Sequence, residues 1–230
     1  MGALSLTEET AAMSLEEVRN YINTVRRDFA NRPLTEASIV QDPFTQFAQW
    51  MEEAVNSHIL DPYAMCVSTV GRDNWPSSRI VYLRDVADGA FIFYTNYDSH
   101  KAADIALNPF AALNFHWGEL ERQVRIEGAV ARVPEERSDA YWASRPRESQ
   151  VSAWMSEQSR EVESREVLES RKTSILQRFE GMDIPRPPHW GGYAVKPERI
   201  EFWQGRPNRL HDRLVFLRQS SDWKVVRLNP

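Results

Sequence analysis

Apolar positions recur at helical spacing near the start of the chain, where Leu15, Val18, Tyr21, Ile22 and Val25 mark one face and Ser14 stands as an N-cap. This predicts a polar helical arm within residues 1–40, lying outside the core. Asp42-Pro43 opens a second helix, because proline is tolerated in a first turn, and Phe44, Phe47, Ala48, Met51 and Val55 make one apolar stripe that predicts packing on a sheet. From residue 63 the texture changes to short β-rich runs: 63–70, 77–84, 90–95, 110–117 and 121–133, punctuated by turn signals such as Gly71-Arg72-Asp73-Asn74 and Asp88-Gly89. One short helix, 99–107, interrupts the series. Helical texture returns over 135–182, with Pro134-Glu135-Glu136 starting one helix and 165–179 forming another. Pro185, Pro187 and Pro188 then impose an extended linker. The end alternates again at 193–195, 199–203, 213–217 and 223–228. Consecutive strands with few helices between them predict a mainly β protein: an antiparallel barrel or sandwich built from two distant blocks of sequence, with helices packed around it.

At 230 residues, 42% of them hydrophobic, the chain can bury a substantial core in one large domain or two small ones. Cys66, the single cysteine, sits in the apolar run Ala64-Met65-Cys66-Val67 and reads as a packed thiol. Residues 1–10 are acidic, with no basic patch ahead of an apolar stretch, and no run could span a membrane, so the expectation is a cytoplasmic protein with no membrane partner. Leu6 stands where a myristoylation signal needs Ser or Thr. A net charge of −5 argues against a broad nucleic-acid-binding face. Lysine occurs only at 101, 172, 196 and 224, so arginine supplies nearly all of the 28 basic side chains. Its planar fork suits phosphate, although a preference for arginine codons gives the same count.

Several chemistries are missing from the sequence. It contains no dinucleotide fingerprint, P-loop, zincin helix or nucleophile elbow, and the histidines at 58, 100, 116, 189 and 211 form no metal-ligand spacing. Three polar clusters remain. If Arg209, His211 and Arg213 begin a strand, the period of two puts them on one face, where cations repel unless something anionic or aromatic lies between them. A solvated face with carboxylate partners accounts for the same spacing. Tyr141 and Arg145 are four apart and share a face on a helix, and Ser149 one turn on completes a phosphate cradle or, equally, an amphipathic helix end. Arg79-Ile80-Val81-Tyr82-Leu83-Arg84 is a strand with a basic residue at each end, which salt bridging also explains.

Together with Tyr94-Thr95, Ser99-His100-Lys101, Glu121-Arg122-Gln123-Val124, Ser144-Arg145-Pro146, Ser156-Glu157-Gln158-Ser159, Trp190-Gly191-Gly192 and the run from Phe202 to Arg213, these fragments resemble the pyridoxamine 5'-phosphate oxidase family, in order from about residue 26 to the C-terminus. The resemblance implies an FMN-binding split barrel over 41–230 with C-terminal dimerisation strands, preceded by the arm 1–40 as a lid. It implies a homodimer with FMN in clefts between subunits, and FMN-dependent oxidation of pyridoxamine or pyridoxine 5'-phosphate to pyridoxal 5'-phosphate, with dioxygen as acceptor and hydrogen peroxide as product. By the same resemblance, FMN contacts fall to Arg79, Ile80, Val81, Tyr82, Leu83, Arg84, Tyr94, Thr95, His100, Lys101, Gln123, Gln158, Ser159, Trp203 and Arg213. The substrate phosphate falls to Arg84, Tyr141, Arg145 and Ser149. Arg209, Leu210 and His211 then hold the pyridine ring, with Arg209 and His211 as the catalytic pair and Arg26 in the lid. No metal is implied.

The chain departs from the family pattern in places. Arg84 replaces a usual lysine, His100 a usual arginine, Phe29 a tyrosine in the Arg26-Arg27-Asp28-Phe29 segment, and Ser152 a glycine. None of these removes a group needed for hydride transfer. The altered phosphate positions motivate a competing reading, a flavin- or pyridoxal-phosphate-binding split-barrel protein with little oxidase turnover. A split-barrel reductase using a nicotinamide donor is a third.

Overall fold

Asp42 does cap the second helix, its carboxylate accepting from the Thr45 N–H at 2.7 Å, and Pro43 occupies the first turn of α2 (Pro43–Asn56). The structure, a computed structural model, describes residues 14–25 and 28–230. Arg26 and Arg27 lie outside the described residues. α1 (Leu15–Thr24) carries the expected Ser14 cap, closed by a capping box with Glu17, and buries none of its residues. The face of α2 that turns inward is rotated from the expected stripe: Gln46, Phe47, Trp50 and Ala54 are buried, whereas Ala48 and Val55 face out. Two contacts fix that rotation. The Gln46 side-chain oxygen accepts from the Val40 N–H at 2.9 Å, and the Arg122 guanidinium lies 4.3 Å from the Trp50 ring while bonding Glu53 on the same helix.

The sheet beneath α2 has nine strands: β1 (Ala64–Val70), β2 (Pro76–Tyr82), β3 (Asp85–Ala87), β4 (Ala90–Asn96), β5 (Phe110–Trp117), β6 (Arg122–Arg132), β7 (Trp190–Gln204), β8 (Asp212–Gln219) and β9 (Asp222–Arg227). All pairings are antiparallel, in the order β2-β1-β5-β6-β7-β4-β3, with β8 on β7 and β9 on β8. β7 joins the two sequence blocks. Its first half pairs with β4, its second with β8, and β6 runs along its other side. The sequence pattern predicted two strands here, 193–195 and 199–203. They are one, because Pro197 sits at an irregularity in the β6–β7 ladder where the strand bends without ending. Gly128 allows that bend, since a Cβ there would lie 2.0 Å from the Lys196 carbonyl oxygen.

Phe47 packs on Phe91 and Phe115 with ring centroids about 5 Å apart, and Trp50 meets Phe202 edge-on at 5.2 Å, which locks the helix to both sequence blocks. Full burial of each such ring contributes about 2–3 kcal/mol. A second core of Trp142, Val151, Phe179, Ile184 and Trp190 lies under α4 (Glu135–Ala143), α5 (Arg147–Met155) and α6 (Arg165–Arg178). α3 (His100–Leu107) follows β4 directly. Two corrections belong to this part of the chain. Tyr141, Arg145 and Ser149 do not share one helix, because Pro146 ends α4 and starts α5. Arg209 and His211 do not begin a strand either. Pro207–Arg209 forms a single 3-10 turn with Asn208 and Arg209 at φ of 55° and 61°, and β8 begins only at Asp212.

Candidate active site

β2 alternates, so Ser77 and Arg79 point to the inner side of its edge while Ile80 and Tyr82 are exposed. That strand, the end of β4, the first turn of α3, the turn after α4 and the loop after α5 enclose a cavity of about 830 Å³. Arg79, Ile80, Val81, Tyr82, Arg84, Tyr94, Thr95, His100, Lys101, Tyr141, Arg145, Gln158 and Ser159 all line it, together with Asn96, Ser152, Ser156 and Trp190. Among the described residues no aspartate or glutamate does.

Three cations of this cavity, Lys101, Arg145 and Arg84, are held by neutral groups. The Lys101 ammonium is buried and donates to the Gln158 side-chain oxygen at 2.8 Å and to the Thr95 and Ser99 hydroxyls at 3.1 and 3.3 Å. Burial, with the nearby Arg79 charge, pulls its pKa down to about 8. Arg145 donates to the Ser149 carbonyl at 2.9 Å and lies over the Trp190 ring at 4.5 Å, and its buried Nε has no hydrogen-bond partner among the described residues. Burial pushes its pKa down as well. The Arg84 guanidinium rests on Tyr82 and Tyr63, 5.0 and 5.5 Å from their centroids, and both phenols donate to Asp61. Tyr94, Tyr141 and Trp190 stack nearly parallel, the two tyrosines 3.9 Å apart. Ser159 has a left-handed backbone at φ 69°, and its hydroxyl accepts from the His100 N–H at 3.2 Å. Buried cations without counter-charges are costly unless an anion joins them. The arrangement can therefore accept an anion beside an aromatic wall.

The remaining residues of interest do not line this cavity. Leu83 is buried in the main core, and Ser149 contributes its backbone carbonyl. Gln123 pairs opposite Trp203 in the β6–β7 ladder. Trp203 packs 4.7 Å from His211, and Phe29 meets both rings edge-on. The His211 Nδ1 accepts from the Arg206 N–H at 3.1 Å. Burial, aided by Arg209, lowers the His211 pKa, so the neutral ring carries its proton on Nε2. Arg213 is committed to the buried Glu201 at 2.7 Å. Leu210 and His211 border a smaller cavity of about 390 Å³ with the C-terminal residues Leu228 to Pro230. Among the described residues there is no cluster able to hold a metal ion, and no helix is long and apolar enough to cross a membrane.

Residues that the sequence reading missed include Asn96, Ser156 and the buried Asp104 behind Arg79. The i, i+4 spacing of His100 and Asp104 on α3 was the available signal for Asp104.

A family model described as "Pyridoxamine 5'-phosphate oxidase" matches residues 51–179, more than half of the chain. The chain belongs to that family. A second model, "Pyridoxine 5'-phosphate oxidase C-terminal dimerisation region", matches residues 190–230, so the oxidase-family chain carries a dimerisation region that includes β7, β8 and β9. Among its relatives, the pyridoxine/pyridoxamine 5'-phosphate oxidase of Rubrobacter xylanophilus is 51% identical over 94% of this chain and 99% of its own length. The one from Gloeothece citriformis is also 51% identical, over 91% of this chain and 98% of its own length. Among solved structures, PhzG of Burkholderia lata 383, in complex with tetrahydrophenazine-1-carboxylic acid, superposes with a TM-score of 0.81 at 29% identity, covering 87% of this chain and 99% of that one. A pyridoxamine 5'-phosphate oxidase-related, FMN binding protein from Nostoc punctiforme shares the fold at a TM-score of 0.67 and 15% identity, covering 84% of this chain and all of that one. The split-barrel architecture expected for the family is the one found.

Proposed function

We propose that this protein is an FMN-dependent oxidase that converts pyridoxamine 5'-phosphate or pyridoxine 5'-phosphate to pyridoxal 5'-phosphate, with dioxygen as acceptor and hydrogen peroxide as product, in the cytoplasm. The observation that carries the reading is the buried Lys101 ammonium in a cavity that no carboxylate lines among the described residues. Arg79, His100, Lys101, Gln158 and Ser159 hold the FMN phosphate, and Arg84, Tyr141 and Arg145, with Ser149 behind them, hold the substrate phosphate. Arg145 supports that division, since it lines the cavity with its guanidinium on the Ser149 carbonyl and the Trp190 ring face. FMN, when bound, supplies the two-electron redox chemistry.

What the chain itself does is place and shield. Gln123, Trp203, Arg209, Leu210, His211 and Arg213 do not line the cavity of their own chain, and all but Gln123 fall within the dimerisation region 190–230. They serve a cavity in a second copy, so that FMN sits between subunits of a homodimer. His211 presents Nε2–H as a donor to the substrate, because its Nδ1 is occupied by the Arg206 N–H. Arg209, held with a left-handed backbone, lays its guanidinium against the pyridine ring, a contact of about 0.5–2 kcal/mol. Orientation of this kind lowers the barrier to hydride transfer by several kcal/mol.

The test is to titrate the purified chain with FMN, read the quenching of flavin fluorescence, and then add pyridoxine 5'-phosphate in air. A yellow protein that releases aldehyde and peroxide is expected. A chain that refuses FMN at saturation overturns the reading, and a yellow chain that makes neither product leaves a binding protein on the same scaffold.

A further inference from the structure

We propose that Asp104 is a positioning residue for this cavity: through the hydroxyls of Thr69 and Ser77 it aims the Arg79 guanidinium at a phosphate ester. The inference rests on the FMN reading above and adds to it a residue that does not itself line the cavity.

Asp104 is 4% exposed on α3. Its Oδ2 accepts from the Thr69 hydroxyl at 2.6 Å and from the Ser77 hydroxyl at 3.0 Å. A hydroxyl has one hydrogen to give, so both oxygens turn their lone pairs the other way. Arg79 fills them, with Nη1 donating to Thr69 at 2.7 Å and Nη2 to Ser77 at 2.6 Å. A third, longer bond runs from Nη1 to the Val67 carbonyl at 3.4 Å. The fork is gripped from behind, and its Nε–H and the second Nη2 hydrogen have no partner in these bonds. Arg79 lines the cavity, where an anion can take them. Direct Asp104–Arg79 contact is looser, at 3.9 Å, so the hydroxyls are the closer link.

The pieces are brought together by the fold. Thr69 and Ser77 are register partners on β1 and β2, and Ser77 and Arg79 share a face of β2. Gly71, in the turn between those strands, leaves the room Asp104 needs, since a Cβ there would lie 2.5 Å from its Oδ1. That second oxygen faces His100 Nε2 at 3.5 Å. Although burial alone would raise the Asp104 pKa, the two hydroxyl bonds, with His100 and Arg79, hold it below the usual carboxylate value.

The role has a signature of sign. A carboxylate that merely neutralised nearby cations would weaken phosphate binding, and its removal would tighten it. A carboxylate that aims Arg79 does the reverse. FMN and riboflavin, which lacks the phosphate, are titrated by fluorescence quenching into the wild-type chain and into Asp104→Asn and Ser77→Ala, with thermal melting of each. We expect Asp104→Asn to weaken FMN about tenfold and Ser77→Ala, which leaves every charge in place, to weaken it about threefold, with riboflavin affinity unchanged in both. FMN affinity equal to or tighter than wild type in Asp104→Asn overturns the proposal. If that variant does not fold, unchanged FMN affinity in Ser77→Ala overturns it. A wild-type chain that binds riboflavin as tightly as FMN is a different failure, of the phosphate cradle itself.

Discussion

Two regions of this chain are rich in arginine and treat it in opposite ways. At the C-terminal end of the sheet the cations are matched with carboxylates: Glu201 takes Arg213 and Arg199 at 2.7 and 2.8 Å, and Arg227 reaches Glu36 and Asp212 at 2.8 and 2.7 Å. In the cavity, Lys101, Arg84 and Arg145 meet hydroxyls, carbonyls and aromatic faces. The first arrangement ties the arm and the last strands to the barrel. The second leaves positive charge uncompensated in a concave site, which is the state of a protein waiting for an anion. Residue type alone does not separate the two, because the same guanidinium serves both.

The comparison breaks most visibly in turnover. Arg209→Ala should lower kcat by about a hundredfold or more, because it removes placement, while the melting temperature stays within about 1 °C. Normal turnover would show that Arg209 does not hold the substrate ring. Next in size, Lys101→Met should weaken FMN by on the order of a hundredfold and raise the melting temperature of the FMN-free chain, since it removes a buried cation whose partners among the described residues are all neutral. Glu201→Gln should do the opposite to stability, costing about 3 kcal/mol in denaturant unfolding by leaving Arg199 and Arg213 without their shared carboxylate. A destabilised Lys101→Met beside an unaffected Glu201→Gln would invert the distinction between the two regions.

A pH titration sharpens it. Lys101 has a folded-state pKa of about 8 against an ordinary 10.5, so between those values the unfolded chain holds the extra proton. The stability of the FMN-free chain should therefore gain a favourable contribution from this group as pH rises from about 8 to 10.5, and FMN affinity should fall over the same window as the ammonium is lost. Melting curves and flavin titrations at matched pH read the two trends. The smallest effect expected is from His100→Arg, which adds a permanent charge on a largely exposed side chain and should tighten FMN about twofold to threefold. Equal or weaker affinity would show that His100 is not part of the phosphate site.

Much of this molecule was legible along the chain. The period of two in the short runs of 63–133 and 193–228 was enough for an antiparallel barrel or sandwich in two blocks, because a sheet with one buried face must alternate. Ser14 and Asp42 announced their helices because a cap is a local bond between neighbours. The rotation of α2 and the continuity of β7 across Pro197 were not legible in the same way. Each depends on what lies opposite in space: Val40 and Trp50's partners for the first and the β6 bulge for the second. The break between α4 and α5 was open to view, because Pro146 stands between Tyr141 and Ser149 in the sequence.

The division is clearest in the site. By itself the sequence determined which side chains are available and, through order and spacing, the family they resemble, since those are properties of neighbours along a chain. Only the tertiary structure decided which cations are neutralised and which stand open, and that Asp104, Thr69 and Ser77 stand behind Arg79. Thr69 and Asp104 are 35 residues apart, and Lys101 and Gln158 are 57 apart. Contacts across such distances are settled by strand register and helix docking, which no local pattern records.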